Sequence, residues 1–426
     1  MASAPASAAP ASAAAPLFRT AEQAAAAAGA YARSIAGGAS QRDRDGAVPA
    51  AELAALDATG LLSITVPRDA GGPELGAAAL AEVVRVIAAA DPAIAQPLQP
   101  HFLMTDVIAI WGTPALKRDL FAEILDGGRF GNAAAERGGQ HAQDLKTRLR
   151  GFPAAPGAVN GAGPAHASPA GVTLTGKKYY TTGSLTARWI GVTALDDQDR
   201  VGLAFVRRDS PGLTLDTDWN VMGQRATVSG SATFGDVPVD PRLIVDYTRA
   251  FEVPQQLGAR TQLVHAAIQT GIAGGVLRDA AWFVREKARP FFEAVRGGWG
   301  QTASQDPHTI YSYGQLATKV RAAETLLASA AATLDEIGRV PASPEEAARG
   351  TVAVAQAKAF ASEVATEVAS DFFGLSGASA ADEKYGLSRH WRNARTHASH
   401  DPVAWKYHHI GNYMLNDVLP PNHGQL

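Results

Sequence analysis

Gly386-Leu-Ser-Arg-His-Trp-Arg-Asn-Ala-Arg-Thr-His-Ala-Ser-His-Asp401-Pro402-Val-Ala-Trp-Lys406 is the stretch on which the reading of this chain turns. Between Arg389 and His400 it carries three arginines and three histidines. His397 and His400 are three positions apart, which on a helix or tight turn puts them on one face. Asp401-Pro402 ends any helix there. Upstream, Phe372-Phe-Gly-Leu-Ser-Gly-Ala-Ser379 supplies glycines and serines that let backbone pass close to a ligand. A cationic, histidine-bearing segment after such a turn suits an anionic cofactor and proton handling. The same residues also fit a solvated arginine face with surface histidines, so the rest of the chain must decide.

Composition narrows the choice. The chain has 426 residues, 46% hydrophobic and 19% charged, which is ample for a large core and for two or three domains. A net charge of −3 gives no pull toward nucleic acid or an anionic membrane. With no cysteine, disulfides, thiolate catalysis and cysteine-bound metal centres are excluded. No apolar run reaches membrane-spanning length. The Ala/Pro/Ser-rich stretch 1–16 is read as a disordered tail rather than a signal peptide, and a cytoplasmic protein is expected.

Outward from the opening stretch the chain divides into α, then β, then α. Residues 17–130 show helical periodicity. Thr20 caps a helix over 21–35, Pro49 opens one over 50–59, and further helices are expected at about 75–90, 92–111 and 114–125. Gln96-Pro-Leu-Gln-Pro-His101 requires the fourth of these to start late or kink, which presents His101 near a helix N-terminus. Over 131–246 short β-rich runs appear, at 171–174, 177–182, 189–194, 201–207 and 227–234, and suggest a small barrel or sandwich of about 100 residues. Residues 151–170 read as a loop. From 247 to 426 long Ala-rich helices return, at about 255–289, 311–337, 343–373 and 388–398, and such helices pack as a bundle. Their surplus apolar surface favours oligomerisation.

Four segments in this order resemble the acyl-CoA dehydrogenase superfamily. They are Gly60-Leu-Leu-Ser-Ile-Thr-Val-Pro67 with Gly71-Gly72; Gly176-Lys-Lys-Tyr-Tyr-Thr-Thr-Gly183; Met222-Gly-Gln-Arg-Ala-Thr-Val-Ser-Gly-Ser231 with Phe234-Gly-Asp-Val-Pro-Val239; and Phe373-Gly374 through Arg389 and Arg392-Asn-Ala-Arg395. The resemblance implies an α+β multidomain fold: an N-terminal helical domain, a central β-barrel domain and a C-terminal four-helix-bundle domain with a C-terminal tail.

A dehydrogenase needs a carboxylate to remove a proton beside the thioester carbonyl. Many members keep it just after the last helix, where this chain reads Thr396-His-Ala-Ser-His-Asp401, with no Glu and an Asp before proline. The alternative position on an earlier helix, Val264 to Gly275, holds Gln269 but no acid. The C-terminal segment Asp401-Pro-Val-Ala-Trp-Lys-Tyr-His-His-Ile-Gly-Asn-Tyr413 and Pro100-His101-Phe102 are instead similar to the flavin-dependent monooxygenases of this superfamily, the dibenzothiophene and sulfur-acquisition enzymes.

That resemblance implies the oxygenase component of a two-component monooxygenase. It would take reduced FMN from a separate NAD(P)H:flavin reductase, form a C4a-hydroperoxyflavin with O2, and oxidise a small organosulfur substrate. A flavin hydroperoxide needs a dry pocket and hydrogen bonds rather than a carboxylate. The catalytic residues implied are His101, Thr181, His397 and His400, with Thr181 at flavin N5 and Tyr179, two residues earlier on the same strand face, along the flavin ring. Thr182, Phe373, Gly374, Ser376 and Gly377 would complete the cofactor contacts, and Arg289 would reach the flavin phosphate from a neighbouring subunit of a homotetramer, because a guanidinium matches phosphate. No metal is implied. Two positions depart from the pattern: Ser379 stands where some members have Arg, and Gly138 follows Arg137 where some have Asn. The competing readings are an acyl-CoA dehydrogenase or oxidase with a relocated base, and a non-catalytic helical scaffold.

Overall fold

The computed structural model describes residues 16–139, 144–152 and 171–423. The tail expected over 1–16 and the loop expected over 151–170 lie almost wholly outside them.

The N-terminal helices are α1 (Ala21–Ala36), α2 (Ala39–Asp45), α3 (Ala50–Asp57), α4 (Ala77–Ala90), α5 (Pro92–Ala95), α6 (Leu98–Trp111) and α7 (Pro114–Leu125). Alanine gives these segments the highest helix propensity, and their ends carry ordinary caps. Thr20 accepts the N–H of Gln23, and Thr113 that of Leu116. The two prolines act as expected: the helix breaks at Gln96-Pro97, and Pro100 sits in the first turn of α6, where no helical N–H is lost.

The β layer holds β1 (Phe130–Ala133), β2 (Arg148–Arg150), β3 (Val172–Lys178), β4 (Trp189–Leu195), β5 (Val201–Arg207), β6 (Leu213–Leu215), β7 (Ala232–Val239) and β8 (Ile244–Asp246). Hydrogen bonding orders them β6-β7-β3-β2-β4-β5-β8. β1 and β2 both run parallel to β4, and the remaining pairs are antiparallel. The expected barrel is therefore a mixed sheet, whose end strands β6 and β8 do not pair among the described residues. β4 and β5 are buried on both faces: Trp189, Leu203 and Phe205 pack with α6 and α7, while Ile190, Val192, Ala204 and Val206 face the other way. Burial on both faces replaces the usual alternation with continuous apolar runs.

The C-terminal helices are α8 (Arg249–Glu252), α9 (Leu257–Glu286), α10 (Phe292–Arg296), α11 (Pro307–Ile337), α12 (Pro344–Ser376), α13 (Ser388–Ala398) and α14 (Val403–Asn416). Three differences from the sequence reading matter. α12 continues through Ser376, so Phe373, Gly374 and Ser376 belong to a helix end rather than a loop. The supposed tail contains α14. Thr227–Ser231 is not strand, because Val228 stands at φ 46°. Helices of both termini share one apolar core, in which Leu80, Val84 and Ile87 meet Leu263, Ile268, Leu327, Val364 and Val368. Asp106 pins this core to the rest: it accepts from Arg260 at 2.6 Å and Arg339 at 3.0 Å, binding α6, α9 and the α11–α12 connection. No helix among the described residues is long and apolar enough to cross a membrane.

Candidate active site

Residues 222–224 meet α13 at Arg392 and Asn393, and two walls of polar residues are built on these parts of the chain. The first is built from residues 179–183 and 223–231. β3 ends at Lys178, Tyr179 bridges to Ala135, and Tyr180 stands at φ 59°. That left-handed residue breaks the pleat, so Tyr179 and Thr181 do not share a strand face as expected. One face of the Tyr179 ring is instead covered by Arg137, whose guanidinium carbon lies 3.2 Å from the ring centroid.

Thr181 is buried, and its hydroxyl donates to the carbonyl of Gly230 at 2.9 Å. Next to it runs a chain of hydroxyls, Thr182 to Ser229 at 2.8 Å and Ser229 to Thr227 at 2.9 Å. Gln224 and Val228 in the same wall also have positive φ, at 54° and 46°. Left-handed backbone at a β-branched residue is strained, and such strain collects at functional sites. Gly223 has no alternative residue: a Cβ there would lie 2.0 Å from the carbonyl oxygen of Arg392. Asn132, on β1, has a buried Oδ1 without a hydrogen-bond partner.

The second wall comes from the bundle. His397, near the end of α13, is buried, and its Nε2 lies 3.2 Å from Nδ1 of His265 on α9. His400 follows in the turn after α13, with its ring centroid 4.0 Å from that of His265. His397 and His400 therefore converge as their spacing predicts, and they do so on His265. His265 was missed; the signal for it was one histidine in the apolar run Leu263-Val-His-Ala-Ala267.

Behind these rings lie three buried charges. Asp401 takes a contact from His400 Nδ1 at 3.2 Å and pairs with Lys406 at 3.4 Å. Lys358, on α12, is fully buried, with Ser362 Oγ at 3.3 Å. Burial pushes the Lys358 ammonium down to about 8, partly opposed by Asp401. Burial alone would raise the Asp401 carboxyl; the His400 contact and the charges of Lys358 and Lys406 outweigh it and hold it well below the usual carboxylate range. Burial, together with neighbouring positive groups, keeps His265 and His397 neutral.

His101 takes no part in this cluster. Its Nε2 lies 2.8 Å from the carbonyl of Leu62 and its Nδ1 accepts the Phe130 N–H at 3.2 Å. Burial pushes its pKa down to about 4. Both ring nitrogens are thus engaged by backbone in this structure. Two of the three arginines of the opening stretch are also spoken for: Arg389 binds Asp279, and Arg392 binds Asp43 and the carbonyl of Met222, while Arg395 is exposed. Arg389 and Arg392 join elements rather than wait for an anion.

At the end of α12, Phe373 packs on Phe372, with ring centroids 4.1 Å apart. Gly374 faces open space, Ser376 buries an unpartnered Oγ, and Gly377 closes the helix at φ 74°. Ser379 and Gly138 are both exposed. Arg289 is exposed beyond α9 and forms no ion pair among the described residues. The described residues contain no cluster of metal-ligating side chains. A recess of about 1000 Å³, lined by Arg68, Glu74, Lys117, Arg118 and Arg339 among others, includes none of these site residues.

Residues 20–128 match the acyl-CoA dehydrogenase N-terminal domain, and residues 263–405 match the acyl-CoA dehydrogenase C-terminal domain. The chain is 31% identical to a dibenzothiophene monooxygenase of Rhodococcus erythropolis over 89% of its own length and 90% of the relative's. It is 29% identical to the probable FMNH2-dependent monooxygenase SfnC of Pseudomonas putida, covering 92% and 95% of the two chains. The FMN-bound crystal structure of TdsC from Paenibacillus sp. A11-2 superposes with a TM-score of 0.86 at 28% identity, over 95% of this chain and all of that one.

Proposed function

The chain belongs to the acyl-CoA dehydrogenase superfamily, in its flavin-dependent monooxygenase branch, and from that membership we propose that it is the oxygenase component of a two-component system. It is an FMN-dependent monooxygenase acting on organosulfur substrates. The reduced FMN comes from a separate flavin reductase, and the protein works in the cytoplasm as a homotetramer.

One observation carries the choice of oxygenation over dehydrogenation. The place where a base would stand holds His265, His397 and His400, and the nearby acid, Asp401, is engaged by His400 and Lys406. A carboxylate held so far below its ordinary range is a poor proton acceptor. The buried, neutral imidazoles of His265 and His397 suit hydrogen bonding to, and protonation of, a reacting oxygen.

The residues present fit FMN. Buried polar atoms without partners, Asn132 Oδ1 and Ser376 Oγ, are offered where a polar ligand would satisfy them. Bound in its reduced form, FMN would supply the two electrons with which O2 is split, one of its oxygen atoms passing to sulfur and the other leaving as water. Thr181 Oγ1 has given its proton to Gly230 and is left as an acceptor, the role that the N5–H of reduced flavin requires. Thr182 and Ser229 extend that polar edge, while His397 and His400 face the reacting oxygen. His101 positions rather than reacts, tying residues 61–63 to β1. Gly374, Ser376 and Gly377 line the phosphate end. Arg289 contributes from a neighbouring subunit; the exposed Phe291, Phe292, Trp299, Ile310 and Tyr311 that follow it support such an assembly.

The test supplies photoreduced FMN anaerobically, then ¹⁸O2, with dibenzothiophene and a short alkyl sulfide or sulfinate as substrates. One labelled oxygen in the product supports the reading. Its absence with every sulfur compound, together with bleaching of bound flavin by an acyl-CoA, overturns it in favour of a dehydrogenase.

A further inference from the structure

We propose that His265 and His397 form a two-imidazole proton relay, in which His265 passes protons to and from the reacting site through His397. The inference rests on the monooxygenase reading for the use of the proton, but the relay stands on geometry of its own.

Both rings are buried, at 0% and 4% exposure, and they share one contact, His265 Nδ1 to His397 Nε2 at 3.2 Å. The outer nitrogens, His265 Nε2 and His397 Nδ1, are buried and without partners. A hydrogen bond between two neutral imidazoles needs one donor and one acceptor. If His265 donates, its Nε2 is a bare lone pair and His397 must carry its proton on Nδ1. If His397 donates, its Nδ1 is the lone pair and His265 carries a proton on Nε2. In either state the pair presents an unmatched acceptor at one end and an unmatched N–H at the other. An unmet buried donor or acceptor is costly, so two such ends in one pair call for a use.

The transfer balances. A proton taken at His265 Nε2 makes an imidazolium; its Nδ1 proton crosses to His397 Nε2; His397 releases its own Nδ1 proton. One proton enters, one leaves, and both rings end in the opposite tautomer. The second state carries a proton the other way. A turnover that delivers one proton to the reacting oxygen and later reclaims one therefore restores the pair.

The surroundings suit this task. His400 is partly exposed and lies against His265, with ring centroids 4.0 Å apart and planes 41° from parallel, and it carries Asp401 on its Nδ1. Lys358 and Lys406 add positive potential from α12 and α14, and with His400 and burial they hold His265 neutral at rest. A relay must be neutral between transfers. Because His265 acts through His397, it is a positioning and relay residue rather than a catalytic one.

Two measurements decide it. In flavin-free protein with ¹⁵N-labelled histidine, the relay predicts a nitrogen–nitrogen coupling through the His265–His397 hydrogen bond, lost in H265N. In turnover, H265N keeps the hydrogen bond through its amide but cannot pass a proton. FMN affinity and Tm should stay near wild type, product formation should fall about 10- to 100-fold, and the pH dependence of turnover should change. In H265G, added imidazole should restore part of the rate and pyrazole, of equal size but far weaker basicity, should not. Absence of the coupling, or H265N turning over at the wild-type rate and pH profile, overturns the relay. If the wild-type protein oxygenates no sulfur compound, the monooxygenase reading falls, and the coupling still decides whether the pair is hydrogen-bonded for transfer.

Discussion

The side-chain oxygen of Asn393 accepts the backbone N–H of Gln224 at 2.6 Å, joining α13 to the strained wall of the sheet. Gln224 is buried at φ 54° and leads into Thr227, Val228 and Ser229. Asn393 thus helps Arg392 hold α13 against the loop that leads into the hydroxyl wall. Asn393→Ala leaves a buried N–H unmet and should cost about 1–3 kcal/mol. It should also weaken FMN binding, because the loop that leads into the hydroxyl wall loses a tie to α13. Denaturant unfolding and fluorescence titration with FMN check both effects; unchanged FMN affinity would count against the role.

Asp401 holds two buried ammonium groups in place. Asp401→Asn leaves Lys358 and Lys406 without their counter-charge, a loss on the order of 3–5 kcal/mol at pH 7. The sign of the pH effect is fixed by Lys358. Its folded-state pKa, about 8, lies below its unfolded value. Between the two the unfolded chain holds a proton that the folded chain has lost, so the penalty shrinks as pH rises above 8. Unfolding midpoints at pH 7 and 9.5 should therefore differ less from wild type at the higher pH.

Thr181→Val removes a hydroxyl that donates to Gly230 and is left to accept from flavin. The stability loss should be roughly 1 kcal/mol. The larger effect should fall on coupling, with less oxygenated product per reduced FMN consumed and more hydrogen peroxide released. Parallel assays of product and peroxide read this directly.

Acid should destabilise the protein well above the carboxylate range. Burial pushes both His101 and His390 to about 4, the latter despite its contact with Asp279. As pH falls from 6.5 toward 4, the unfolded chain takes up protons that these folded rings refuse. Each contributes a stability loss of about 1.4 kcal/mol per pH unit in that window, and His265 and His397 add to it. Stability should be level near pH 7–8 and fall steeply below 6.5. His101→Gln should lessen that slope, and a flat profile down to pH 5 would contradict the assignment.

Arg289→Ala should leave the fold intact, since the side chain is exposed and makes no ion pair among the described residues. Loss of a charge-assisted contact to phosphate is worth about 1.5–3 kcal/mol, or roughly 10- to 100-fold in FMN affinity. The wild-type affinity should fall with added salt more than that of the variant.

Sequence by itself determined the α–β–α order, the long Ala-rich helices and the convergence of His397 with His400, because helix propensity, proline placement and three-residue spacing are local properties. Gly176–Gly183 and Phe373–Arg389 were singled out through family resemblance instead. What only the tertiary structure decided is which partner each polar group finds. Lys358 and His265 lie 93 positions apart on different helices, yet both face the same histidine and aspartate cluster. Arg389 and Arg392 looked available for an anion until Asp279 and Asp43 met them from remote elements. His101 finds its partners in the backbone of Leu62 and Phe130, from two remote segments. The open sheet and the broken pleat at Tyr180 are likewise products of long-range pairing. A residue's chemistry is written in its type, but its charge, tautomer and availability depend on what the folded chain places within about 4 Å of it.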